Sequence, residues 1–202
     1  MIEFLQQAWT QAQQQSLLEL VAVLLSVAYV VLAAHQNSWC WPCAFISTSI
    51  FVFLFWESTL VFNMLLNVFY IVMAVVGYFS WNKGKLLQTE KFIVKALSLD
   101  KLAILLCLGV AITVILVMIG SQLFQSEWIW LDAITTVFSI IATILTARKY
   151  IDNWYFWMVM NPLSAYLVYK NGLYLTSILM VVFTIMACYG YIKWKSDIPN
   201  EA

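Results

Sequence analysis

The sequence predicts an all-α integral membrane protein: seven transmembrane helices in a parallel 3+1+3 arrangement, two three-helix repeats and one joining helix. Composition, an internal repeat and the placement of basic residues carry that prediction. Of 202 residues, 64% are hydrophobic and 10% charged, with a mean hydropathy of +0.89. A chain of this size cannot hide so much apolar surface in one aqueous core, so lipid is its solvent. The segment from Glu19 to Trp81 reads again as Asp132 to Trp194, at an offset of 113 residues. Ser26 pairs with Ser139, Trp41 with Trp154, and Gly77-Tyr78-x-x-Trp81 with Gly190-Tyr191-x-x-Trp194. Rare residues in matched positions mark a duplicated structural unit.

Taken in order, residues 1–18 form an extracytoplasmic N-terminal segment. It is rich in Gln, and no Lys or Arg precedes Lys83, so it does not read as a cleavable signal. The first repeat, 19–81, holds apolar spans at Leu20–Ala34, Trp39–Trp56 and Thr59–Trp81. A basic loop, 82–101, leads to the joining helix, 102–124. The second repeat, 132–194, holds spans at Ala133–Ala147, Trp154–Tyr169 and Leu173–Ile192, and residues 195–202 are a tail. A helix needs roughly 17 to 25 residues to cross the hydrocarbon. The first and fifth spans reach that length with Glu19 and Asp132 at their interfacial ends.

Seven spans sort the bases sharply. Lys83, Lys85, Lys91, Lys95, Lys101, Arg148, Lys149, Lys193 and Lys195 fall on one side, and Lys170 alone on the other. The positive-inside bias then sets the N-terminus outside and the C-terminus in the cytoplasm. One span between two three-span copies gives both copies the same orientation, about an axis along the membrane normal. Parallel repeats of this kind place substrate near the midplane between the copies. The basic side faces an anionic leaflet, so the bilayer rather than nucleic acid is the partner it implies.

Helical spacing gathers the polar residues into stripes. Asn63, Asn67 and Tyr70 share a face of span three; Trp154, Trp157, Asn161 and Ser164 share a face of span six. Amides beside aromatic rings within a membrane resemble a pocket that stacks a flat ring and reads its edge. Asp132, Thr135, Ser139, Thr143 and Thr146 form a stripe on span five that reads as helix packing, where small hydroxyl residues allow close approach. Glu19 and Asp132 fit helix N-termini, where the dipole favours negative charge; attraction of a cationic solute is the alternative. Neither carboxylate lies mid-span, which favours uncoupled diffusion over ion coupling.

Cys40-Trp41-Pro42-Cys43 has redox spacing and opens a second reading, a membrane thiol oxidoreductase working through Cys40 and Cys43. That motif belongs to a βαβ setting, whereas here it opens a span on the reducing side of the membrane. Cys107 and Cys188 lie in apolar spans as small hydrophobes. His35 is the single histidine, so a zinc site has too few ligands. The sequence calls for no catalytic group, no metal and no cofactor.

Several of these residues occur together in a known family. Trp39-Cys40-Trp41-Pro42, Gly77-Tyr78-x-x-Trp81, Ala147-Arg148-Lys149-Tyr150, Asn153-Trp154-x-x-Trp157, Asn161, Gly172-Leu173-Tyr174 and Gly190-Tyr191-x-x-Trp194 resemble the PnuC family of bacterial vitamin transporters. The resemblance implies a seven-helix fold like that of full-length SWEET-like transporters, a homotrimer in the bacterial inner membrane, and facilitated uptake of nicotinamide riboside. It also implies trapping of the substrate by a cytoplasmic kinase. Relatives look like thiamine or riboflavin carriers, which makes thiamine the alternative substrate. Members that carry nicotinamide riboside tend to have Asn, Gln and a further Asn where this chain has Ser47, Asn67 and Ala74. The candidate substrate-binding residues are Trp41, Ser47, Asn63, Asn67, Tyr70, Trp154, Trp157 and Asn161.

Overall fold

The computed structural model describes residues 3, 6–10, 17–57, 61–86, 94–123, 128–170, 172 and 174–198. Seven long helices follow one another: α1 (Leu17–Ala34), α2 (Cys40–Glu57), α3 (Val61–Leu86), α4 (Leu99–Leu123), α5 (Ile129–Ala147), α6 (Asn153–Lys170) and α7 (Tyr174–Lys195). Each overlaps an apolar span expected from sequence, and most run a few residues past one of its ends, because interfacial polar residues continue a helix that lipid requires to be hydrogen-bonded throughout. Glu19 and Asp132 stand in the first turns of α1 and α5, which reach 18 and 19 residues.

By length and composition, α1, α5, α7 and residues Leu99–Gln122 of α4 can cross a membrane, and residues Cys40–Phe53 of α2 form an apolar helix as well. Helix α6 is the least apolar of the seven because it carries Asn153, Asn161, Ser164 and Lys170. Outward faces are greasy: Ile104, Leu108, Ile115 and Met118 of α4 are exposed, as are Val181, Ile185 and Ile192 of α7. Contiguous apolar exposure of this kind belongs in lipid.

Helix α2 packs on α1 and α3, and α6 on α5 and α7; α1 also meets α7, and α3 meets α5, while α4 packs on α5. The α4–α5 contact forms where Gly109 leaves room for the Phe138 ring; a Cβ there would stand 2.7 Å from it. Residues 113 apart repeat the same local geometry. After α1 the chain turns with Gln36 N–H on the Ala33 carbonyl (2.9 Å) and Asn37 N–H on Leu32 (2.9 Å). After α5, Lys149 N–H bonds Thr146 (3.0 Å) and Tyr150 N–H bonds Leu145 (3.0 Å). Both turns need a left-handed residue, Gln36 at φ 52° and Lys149 at φ 55°.

The core between the halves is aromatic. Trp41 meets Trp81 edge-on at 5.3 Å, Trp154 meets Trp194 edge-on at 5.3 Å, and Trp81 meets Trp194 at 5.9 Å. The indole N–H of Trp81 donates to the Thr146 carbonyl (3.2 Å), and that of Trp194 to Ala33 (3.0 Å). Each half therefore caps a carbonyl of the other. Gly77 and Gly190 make this packing fit, since a Cβ at either would overlap the ring of Trp41 or Trp154. The motif Gly-Tyr-x-x-Trp thus supplies both the gap and the edge contact for the tryptophan of the preceding helix.

Of the loop 82–101, residues up to Leu86 continue α3, and 87–93 lie outside the described residues. Lys95 runs beside the α5–α6 turn, donating N–H to the Lys149 carbonyl (3.0 Å) and accepting from Ile151 N–H (2.8 Å). Leu97 N–H donates to Asp152 Oδ2 at 2.7 Å. Most of the N-terminal segment and residues 199–202 lie outside the described residues.

Candidate functional site

A cavity of about 400 Å³ lies between the helices of the two halves, within the range that holds a vitamin-sized ligand. Trp41, Ser47, Asn67, Tyr70, Trp154, Trp157 and Asn161 all line it. The side chain of the eighth candidate, Asn63, lies outside the described residues. Helical periodicity brings these seven together: the aromatic and amide stripes of α3 and α6 both turn inward because the opposite faces of those helices meet lipid or a neighbour.

The candidates differ in what they can offer a ligand. Trp41 and Trp154, 2% and 3% exposed, have buried indole N–H groups without a hydrogen-bond partner. A buried donor left open is costly, so these two positions are poised for an acceptor. Asn161 is 6% exposed and stands one residue before Pro162, whose ring removes a helix hydrogen bond at that level. Trp157 is half-buried, with its Nε1 3.4 Å from the Thr146 hydroxyl. Ser47 is already engaged: its hydroxyl donates to the Ala22 carbonyl at 2.8 Å and lies 2.6 Å from Ser26 Oγ. It therefore ties α2 to α1 and presents little free polarity.

The α5 stripe does more than the packing expected of it. The α5 stripe, read as helix packing, faces the cavity: Asp132, Thr135, Ser139, Thr143 and Thr146 all line it. Three of its hydroxyls satisfy themselves along their own helix, with Thr135 on Leu131 (2.8 Å), Thr143 on Ser139 (2.8 Å) and Thr146 on Ala142 (2.9 Å). The same helix packs on α3, α4 and α6, and the Thr146 hydroxyl also lies 3.1 Å from Asn153 Oδ1 of α6. Ala74, aligned with a family amide, packs with Trp41 and Trp81 in the core.

Sequence reasoning did not assign several lining residues, Tyr29 and Asn153 among them. Tyr29 of α1 contacts Trp41 at 6.0 Å. Asn153 is fully buried, donating from Nδ2 to the Tyr150 carbonyl (2.6 Å), with Oδ1 3.1 Å from Thr146 Oγ1. Its place in Asn-Trp-x-x-Trp was the available signal; it fixes the turn that presents Trp154. Cys40 is buried in the first turn of α2, and Cys40, Cys43, Cys107 and Cys188 are free thiols. Among the described residues no cluster of His, Cys, Asp and Glu could hold a metal.

A lipid-facing helical bundle around an interior cavity of rings, amides and hydroxyls defines a multi-pass membrane carrier of a small organic solute. The chain belongs to the nicotinamide mononucleotide transporter family, whose pattern matches residues 16–196. It is thus a transporter and not an enzyme. It is similar to the nicotinamide riboside transporter PnuC of Escherichia coli (strain K12), 24% identical over 204 residues, 89% of this chain and 85% of that one. The nicotinamide riboside transporter PnuC of Neisseria mucosa is 28% identical over 203 residues, 90% of this chain and 73% of the other. The fold matches the crystal structure of the vitamin B3 transporter PnuC at a TM-score of 0.73 and 26% identity, over 96% of this chain and 89% of that one.

Proposed function

We propose that this protein is a facilitator for nicotinamide riboside, moving it through the membrane without ion coupling and relying on a cytoplasmic kinase to trap it. The cavity carries the proposal, because it joins two open indole donors to amides and stacking surfaces in a space of vitamin size within a chain similar to nicotinamide riboside transporters. In this reading Trp157 and Tyr70 offer ring faces, Asn67 and Asn161 read polar edges, and Trp41 and Trp154 donate to acceptors. The names of these relatives do not favour thiamine. Uncoupled transport fits a cavity wall in which, among the described residues, one carboxylate lies at a helix end.

The architecture we infer is a parallel 3+1+3 bundle of seven spans, supported by the matched turns, matched tryptophan contacts and matched carbonyl caps of positions 113 apart. The nine-to-one placement of bases supports an outside N-terminus and a cytoplasmic C-terminus. Family resemblance supports assembly as a homotrimer in the inner membrane. Purified protein in liposomes should take up labelled nicotinamide riboside down its gradient with no imposed ion gradient. Uptake that requires a proton or sodium gradient would end the uncoupled reading. A reporter active only outside should work before Glu3 and fail after Ala202; reports from the same side at both ends would end the seven-span layout.

A further inference from the structure

The wall of the cavity holds one charge. Asp132 is the sole acidic or basic side chain among its described lining residues, the remainder being apolar, aromatic, hydroxyl or amide. A place in the first turn of α5 accounts for a carboxylate through the helix dipole, but not for its direction. Glu19 has the same place in α1 and is not among the lining residues. Asp132 continues the stripe of Thr135, Ser139, Thr143 and Thr146 and lines the cavity at its open end, where its side chain is exposed. Its carboxylate has no ion pair among the described residues. Lys170, at the same end of the bundle, lies over the rings of Trp128 (5.8 Å) and Tyr166 (5.4 Å).

The far end of the cavity has a different chemistry. Thr146, Asn153 and Trp154 line it there, and along α5 the step from Asp132 to Thr146 is about 20 Å. The open indole donors of Trp154 and Trp41 suit acceptors such as hydroxyls and carbonyls. A single negative charge at the open end of an apolar-walled cavity draws cations to that end.

We propose that Asp132 is the charge-selecting residue of the cavity, favouring N-substituted pyridinium cations over uncharged molecules of the same shape. This rests on the carrier reading above and adds the rule by which the carrier ranks solutes. The carboxylate acts at the cavity end nearest it, on entry and first binding, while the tryptophan end discriminates by hydrogen bonding.

The test uses one molecule in two charge states: nicotinamide riboside, a cation, and its uncharged 1,4-dihydro form. Uptake of each is measured in liposomes at low salt for the unaltered protein, Asp132→Asn, Asp132→Glu and Glu19→Gln. The unaltered protein should favour the cation. Asp132→Asn should lower cation uptake roughly tenfold and leave the dihydro form near its original rate, Asp132→Glu should restore the preference, and Glu19→Gln should change neither. An equal fall for both forms would make Asp132 a structural cap and overturn the proposal, as would an unchanged ratio in Asp132→Asn. Failure of the unaltered protein to take up either form would instead overturn the carrier reading, and this assignment with it.

Discussion

Lys149 Nζ donates to Gln36 Oε1 at 3.0 Å, although the two residues are 113 apart and occupy the same step of two turns of matching geometry. The bond therefore joins the halves where their equivalent points meet. Lys149 also holds its ammonium 4.9 Å over the Trp81 ring, and Gln36 Nε2 donates to Asp197 Oδ2 at 2.7 Å. The link is buried on the Lys149 side, so solvent screens it less than a surface pair. It ties the α1–α2 turn, the α5–α6 turn and the chain beyond α7 into one end of the bundle.

The first prediction follows from that link. Lys149→Met and Gln36→Leu should each lower the melting temperature in detergent, and the double variant should fall by clearly less than their sum. A shared bond of this type is worth about 1 kcal/mol, which appears as non-additivity in a double-mutant cycle. Strict additivity would show that the two side chains do not act together.

Gly77→Ala and Gly190→Ala should both destabilise, because the added methyl would overlap a tryptophan ring held on its other side by Trp81 or Trp194. Overpacking of a filled core costs about 1 to 3 kcal/mol. Thermal melts check this, with Gly172→Ala as a comparison: nothing lies within 4 Å of that position, but its φ of 78° makes any side chain strained. Its loss should come from backbone strain, leaving the tryptophan near-ultraviolet signal unchanged, whereas the core variants should alter it.

The helices were legible because hydrophobic length and polar stripes are local properties, and each apolar span became a helix within a few residues of its expected ends. The tryptophan repeat was legible as pattern but not as mechanism. That Gly77 exists to admit Trp41 requires the packing angle of α2 on α3, which no local rule supplies. The α5 stripe was legible only in part: packing and a cavity wall have the same spacing, and only the arrangement of α3, α5 and α6 shows that Thr143 lines the cavity on a helix that also packs on its neighbours. The cross-half bond of Lys149 to Gln36 left no trace in residue type, since one copy carries an amide and the other an ammonium.

The cysteine pair gives a sharp contrast between carrier and oxidoreductase. Cys40 packs with Trp41 and Ala33 in the core, and Cys40 and Cys43 are both free. Replacing both with Ser should leave uptake within about twofold, since neither thiol is among the cavity-lining residues, with a stability loss from burying a hydroxyl at position 40. Abolished uptake in a protein that still melts cooperatively would bring thiol chemistry back.

The last prediction locates the binding surface. Asn161 lines the cavity while largely buried, so a ligand group paired with its amide has no water to fall back on. Asn161→Leu keeps a similar volume but leaves that group unsatisfied, at a cost of about 1 to 3 kcal/mol, or roughly tenfold or more in affinity. Trp157→Ala removes a half-buried ring and its stacking face, and should weaken nicotinamide riboside by a comparable factor. Thr143→Ala is the informative control, because its hydroxyl lines the same cavity yet spends its proton on the Ser139 carbonyl at 2.8 Å. It has no donor left for a ligand, so affinity should change by less than about threefold. Titration calorimetry on the three purified variants checks the pattern. Unchanged affinity in both Asn161→Leu and Trp157→Ala would remove α6 from the site, and a larger loss in Thr143→Ala would move the binding surface onto α5.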